Sequence, residues 1–225
     1  MLTPVHALPA FLSHQPLFRS LGSEACERLA AGASIEIAER GRFIYRSGAP
    51  YSGAWVVLGG KVKLTFSAPG GHERVVALAL PGDTMGLECL PRERPYATSA
   101  QALQESRVML LQKDALAAEL ERNPAFARAM LGHLSSRIEE TLRDFEACTL
   151  MRGRERVANY LLRIAGPGAA ELTLPVAKGV VASRLNLTQE HFSRILRQLA
   201  EDGLIEVLGR TIAIRDRPRL QSATM

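Results

Sequence analysis

With 225 residues, 47% of them apolar, the chain is long enough for two compact domains that each bury a core, which excludes a disordered chain. The formal charge of +5 is unevenly spread: residues 150–225 hold 12 Lys/Arg against 7 Asp/Glu, whereas residues 1–149 hold 16 of each. A cationic C-terminal third points to phosphate as a partner, because neutralising phosphates releases condensed counterions.

Cys26, Cys89 and Cys148 are scattered, with no C-x-x-C pair, so neither a disulfide framework nor a thiolate zinc site is indicated and a reduced, cytoplasmic setting fits. MLTPVHALPAFL lacks a basic n-region and a long enough apolar run for a signal peptide. Nothing later approaches about eighteen consecutive apolar residues, so no membrane partner is expected.

Residues 3–34 read as Pro-punctuated turns and a short helix, with Ser23 as N-cap before EACERLAAG and Gly32 as the stop. From Ile35 to Gln112 the chain becomes short runs rich in Val, Ile, Leu and Thr between glycine turns, the pattern of a rolled or sandwiched β domain. Alternation through Lys61-Val62-Lys63-Leu64-Thr65-Phe66 gives one wet face and one dry face. A cupin-like metal enzyme would need clustered histidines and a glutamate here. The stretch offers only His72, which reads as a solvated turn residue.

Asp114 begins a helical segment, and Asn123-Pro124 begins a longer one continuing to about Thr149. Leu131, Leu134, Ile138, Leu142, Phe145 and Cys148 follow 3,4,4,3,3 spacing. Such a stripe either packs on the β domain or forms the seam of a parallel dimer.

MRGRER, residues 151–156, is a basic junction, with the hinge placed within Cys148 to Arg154. RVANYLLRIAG reads as a helix with Val157, Leu161 and Ile164 inward, ended by Gly166-Pro167-Gly168. After a short Leu172-Thr173-Leu174 strand, Pro175 is expected to open a helix through VAKGVVASR, and Asn186-Leu187 turns the chain. In TQEHFSRILRQLAEDG, residues 188–203, Phe192, Ile195, Leu196 and Leu199 share one helix face, while Glu190, Ser193, Arg194, Arg197 and Glu201 fall on the other. Thr188 is the expected N-cap. IEVLGRTIAI alternates on both sides of Leu208-Gly209-Arg210, a hairpin. Helix, turn, helix and hairpin together make a winged helix-turn-helix, whose second helix enters the major groove.

The whole order, and above all LPVAKGVVASRLNLTQEHFSRILRQLAEDGLIEVLGRTIAI over residues 174–214, resembles the Crp/Fnr superfamily of bacterial transcription regulators. The resemblance implies an α+β fold with three parts. Residues 1–122 form an N-terminal helix and a cyclic-nucleotide-binding-like β-roll sensor, 123–150 a dimerisation helix, and 151–225 the DNA-binding domain. It implies a non-enzymatic homodimer that binds double-stranded DNA and works with RNA polymerase. Glu190, Ser193 and Arg194 stand in the E-x-x-S-R pattern of the Fnr and Dnr branch, whose members read a TTGAT-N4-ATCAA palindrome. The chemistry agrees, since Arg194 has a planar fork for guanine O6 and N7, Glu190 can accept from the cytosine amine, and Ser193 can contact thymine. Lys178, Arg184, Thr188, Gln189, Arg197 and Arg210 are the expected backbone contacts.

Departures from the family pattern bear on the effector. Cyclic-AMP-binding members carry Gly-Glu-Leu followed by Arg-Ser. The run MGLECLPRERPYATSAQA displaces Glu88 by one position and puts Tyr96-Ala97 where Arg-Ser belongs, so cyclic AMP is not expected unless Arg92 or Arg94 substitutes. Cys26 is alone near the N-terminus, and an iron–sulfur cluster is not expected. SHQPLF, PVAK and FSRI are similar to the Dnr group of denitrification activators, which respond to nitric oxide through haem. That similarity implies haem b, with His14 as ligand and Gln15 where some Dnr sequences carry a second histidine. His133 on the long helix is a further ligand candidate, although its place in a helical stripe reads as packing, and His191 reads as facing DNA or its own helix turn. The competing readings are a regulator with another effector or none, acting by abundance, and the β-barrel enzyme, for which no catalytic constellation is found.

Overall fold

The computed structural model describes residues 8–19, 21–67, 73–92 and 94–224. The chain divides into two compact units, 1–138 and 139–225, with the division inside the long helix.

In the first unit α1 (Leu8–His14) and α2 (Ser23–Ala31) precede two four-stranded antiparallel sheets. One sheet has the order β1 (Ser34–Ala38), β8 (Ser106–Gln112), β3 (Gly53–Gly59), β6 (Thr84–Met85). The other runs β2 (Phe43–Tyr45), β7 (Ser99–Ala102), β4 (Val62–Ser67), β5 (Glu73–Ala79). Val56, Val108 and Leu111 from the first sheet and Val62, Leu64 and Ala100 from the second share one buried core with Leu12, Phe18 and Leu29. α3 (Lys113–Arg122) closes one side through Leu116, and Glu119, buried beneath it, takes a two-pronged ion pair from Arg28 on α2 at 2.8 and 3.0 Å. Burial resists ionisation of Glu119, but the guanidinium outweighs it and holds the carboxyl below its ordinary range.

Three local readings change. α1 is a helix where only turns were expected, and α2 starts at Ser23 itself, with Gly22 as the capping position and no side-chain cap. In β4 the alternation breaks at a register shift between Leu64 and Thr65, so Thr65 is fully buried while Phe66 is 53% exposed. His72, the turn histidine, lies outside the described residues.

The long helix α4 runs Pro124–Leu150. Phe126 and Met130 are buried in the first unit's core and Leu134 packs partly against it. The dimer-seam set is therefore corrected at Leu134. The exposed apolar residues along one face of the helix are Leu131, Ile138, Leu142 and Phe145, each 60–68% exposed, and the polar Ser135 and Thr149 continue their line at 4,3,4,3,4 spacing.

The second unit contains the last turns of α4, then α5 (Gly153–Ala165), β9 (Glu171–Thr173), α6 (Lys178–Arg184), α7 (Gln189–Glu201), the hairpin β10 (Ile205–Leu208) and β11 (Thr211–Ile214), and α8 (Arg217–Ser222). β11 pairs with both β10 and β9, so a three-stranded sheet backs the helices. Its buried set includes Val157 and Leu161 of α5, Val181 of α6, Phe192, Ile195, Leu196 and Leu199 of α7, Ile212 and Leu220. The fold class expected from sequence is the one observed, apart from the start of α6. That helix begins at Lys178, and Pro175 lies upstream of it in a bend.

Candidate nucleic-acid interface

Between α6 and α7 the chain must reverse within a few residues, and Asn186 does so at φ 55, a left-handed conformation that asparagine tolerates better than most side chains. The Asn186 N–H donates to Ser183 O and the Leu187 N–H to Ala182 O, at 3.1 and 2.9 Å. Thr188 Oγ1 then accepts from the His191 backbone N–H at 3.1 Å and starts α7.

The buried apolar face of α7 leaves Gln189, Glu190, Ser193, Arg194 and Arg197 lining an open groove. Glu190, Arg194 and Arg197 are exposed and Ser193 is half-buried, and their i, i+3, i+4, i+7 spacing puts them on one face.

Most other cations of this unit are spent on the fold. Arg154 pairs with Asp202, Arg215 with Glu206, and Arg217 donates to the carbonyls of Gly166 and Ala169. Arg184, expected on the DNA backbone, is corrected. Its side chain is 20% exposed and donates to Asp144 Oδ2 at 3.2 Å, while Arg163 takes Oδ1 of the same carboxylate at 2.8 Å. Arg210 is exposed on the hairpin but also donates to Leu174 O at 2.7 Å. Among the described residues, Lys178, Arg194 and Arg197 make no ion pair within the chain. Charged donors without an internal ion pair, Lys178 on α6 and Arg194 and Arg197 on one face of α7, are what phosphate and base edges require.

In the first unit, the place of the absent Arg-Ser pair is filled by aromatic rings. Tyr96 is 3% exposed and stacks on Tyr45 at 4.0 Å between ring centroids, with Tyr51 edge-on at 5.4 Å. Its hydroxyl donates to Gly53 O at 2.7 Å and accepts from the Trp55 indole N–H at 3.2 Å, with Ser52 Oγ at 3.0 Å. Gly86 makes room, since a Cβ there would lie 2.7 Å from the Tyr96 ring. This aromatic network was missed in the sequence. The signal was the tyrosine itself, large and polar-tipped where the cyclic-AMP-binding pattern calls for arginine. Arg92 and Arg94 are exposed, as is Glu88.

His14, at the exposed end of α1, has Nδ1 2.6 Å from Ala10 O. That contact occupies Nδ1 and leaves Nε2 as the ring nitrogen that a metal would take. His133 is half-buried on α4 and His191 half-buried on α7. Among the described residues, no three His, Cys, Asp or Glu side chains are grouped to hold a metal ion, and no helix is long and apolar enough to cross a membrane.

A β-sandwich followed by a long helix and a winged helix-turn-helix is the architecture of a DNA-binding protein. Two domain families match: the cyclic nucleotide-binding domain over residues 36–123 and the Crp-like helix-turn-helix domain over residues 155–223. The structure of DNR from Pseudomonas aeruginosa is similar at 30% identity, covering 99% of each chain with a TM-score of 0.53. That of FixK2 from Bradyrhizobium japonicum is similar at 25% identity, covering 86% of this chain and 98% of that one with a TM-score of 0.77. The Cyclic AMP receptor protein of Thermus thermophilus is 27% identical over 206 residues, 92% of this chain and 95% of the relative. The chain belongs to the Crp/Fnr family of DNA-binding transcription regulators, a family of regulators and not of enzymes.

Proposed function

We propose that this regulator reads a TTGAT-N4-ATCAA-like palindrome as a homodimer, with Glu190, Ser193 and Arg194 on base edges. The observation that carries the reading is the open face of α7, where these three side chains and Arg197 project without internal ion pairs while the opposite face is buried. Lys178, Gln189, Arg197 and Arg210 supply backbone contacts, and the Thr188 hydroxyl caps the helix that aims them. Symmetry comes from the stripe Leu131, Ile138, Leu142 and Phe145 meeting its copy along α4.

For the effector we propose haem b and nitric oxide, of the Dnr kind. The supporting observation is the contact of His14 Nδ1 with Ala10 O, which leaves Nε2 as the nitrogen available for iron. Haem would supply a nitric-oxide-binding iron, and His14 would hold it from α1. The cyclic-nucleotide reading is not favoured, because Tyr96 and its stacked neighbours occupy the position from which an arginine would clamp a phosphate.

Fluorescence anisotropy on the palindrome and on a scrambled duplex, with and without haem and nitric oxide, tests both parts. A preference for the palindrome supports the DNA reading whatever the effector does. A Soret band that shifts under nitric oxide and is lost in His14→Ala supports the haem reading. Equal affinity for both duplexes overturns the first, and failure to take up stoichiometric haem overturns the second.

A further inference from the structure

Behind the reading helix, where the last turns of α4 meet α5 and α6, lies a recess of about 20 Å³ lined by Asp144, Arg156, Tyr160, Arg163 and Arg184. Three hydrogen-bond donors on that lining have no partner: Arg156 Nε, Tyr160 Oη and Arg184 Nε. Tyr160 is 3% exposed, so its hydroxyl has no access to bulk water. Buried donors left unpaired are rare in folded proteins and mark a missing water or ion. The same guanidinium groups are anchored elsewhere: Arg156 Nη1 donates to Met151 O, and Arg163 Nη1 and Arg184 Nη2 hold the two oxygens of Asp144.

Size and charge select the occupant. A recess of this volume admits a single water-sized species and excludes sulfate, phosphate and organic acids. A water has two lone pairs and can accept from only two of the three donors, whereas a monatomic anion accepts from all of them. Three guanidinium groups face one carboxylate, so the lining has an excess of positive charge that a neutral occupant leaves uncompensated. We propose that this recess is a halide site, taking one chloride ion on Arg156, Tyr160 and Arg184 and thereby tying α6, the first helix of the DNA-reading pair, to α5.

The site separates cleanly in a comparison of full-length wild type with Tyr160→Phe, which deletes one donor and keeps the ring. Thermal unfolding of the DNA-binding unit, read by far-UV circular dichroism, is followed as chloride replaces gluconate at constant ionic strength. The expected result is a wild-type midpoint that rises with the logarithm of chloride and a gap to Tyr160→Phe that widens with it, because only the native state binds the ion. Crystals grown in bromide should show an anomalous peak between the three donors. A gap of the same size in both salts, with no anomalous peak, means an ordered water and overturns the proposal. A Tyr160→Phe protein more stable than wild type in both salts means an empty recess and overturns it equally.

Discussion

Replacing Tyr96 by phenylalanine removes one oxygen from the centre of the sensor unit, and its consequence can be worked out from the contacts. The hydroxyl serves three groups, of which Ser52 is exposed and can turn to water without cost. The Trp55 indole N–H and the Gly53 carbonyl cannot, since both residues are buried. An orphaned buried polar group costs about 1–3 kcal/mol, and two of them set a loss of about 2–6 kcal/mol. With a urea m-value of about 2 kcal/mol/M for a unit of this size, the unfolding midpoint falls by about 1–3 M. Trp55 is the only tryptophan in the chain, so intrinsic fluorescence in a urea titration reads this unit selectively. A midpoint that stays within about 0.2 M of wild type, at unchanged m, would refute the claim that this hydroxyl holds the network together.

Further outcomes follow from the same contacts. Burial, reinforced by the charge of Glu88, pushes the Tyr45 phenol above its ordinary range. The unfolded phenol then ionises first, and stability present below about pH 10 is lost as pH rises beyond it. Fluorescence-detected melts should show this loss in wild type and a smaller one in Tyr45→Phe; identical alkaline profiles would contradict it. Burial opposes ionisation of Asp144, yet Arg163 and Arg184 hold its carboxyl below the ordinary range, so its contribution is present above about pH 4 and lost as pH falls. Asp144→Asn should cost about 1–3 kcal/mol at neutral pH, and a denaturation series should find the cost vanishing in acid. Ile138→Asp or Leu142→Asp should yield monomers in sedimentation with the sensor unit folded, whereas Leu134→Asp should destabilise that unit. A dimer that survives both stripe substitutions would remove α4 from the interface.

How much of this was legible depended on whether a residue's environment is set by its near neighbours. The periodicity of Phe192, Ile195, Leu196 and Leu199 belongs to one helix, and Thr188 caps that helix within three residues, so both could be read directly. The exposure of Phe66 could not. It depends on a register shift in pairing β4 with β5, and strict alternation places Phe66 on the wrong face. Arg184 was misread for a similar reason. Its partner Asp144 is 40 residues away, and nothing local distinguishes an arginine held by a carboxylate from one waiting for phosphate. The helical stripe sits between these cases. Leu131, Ile138, Leu142 and Phe145 were read correctly as one face, but Leu134 was included because apolar character alone does not reveal which side of α4 the β-sandwich covers.

The central claim is that α7 reads bases through Arg194, and a single atom of the DNA tests it. Substituting 7-deazaguanine for the guanine of TTGAT removes the N7 acceptor and leaves O6 in place. Losing half of a bidentate contact worth about 1–3 kcal/mol should weaken wild-type binding roughly 3- to 10-fold. Arg194→Ala, already lacking the fork, should bind the normal and modified duplexes equally. If instead the variant loses affinity to the same degree on matched and scrambled sites, and wild type ignores the missing N7, Arg194 is a phosphate contact and the account of the reading face is wrong.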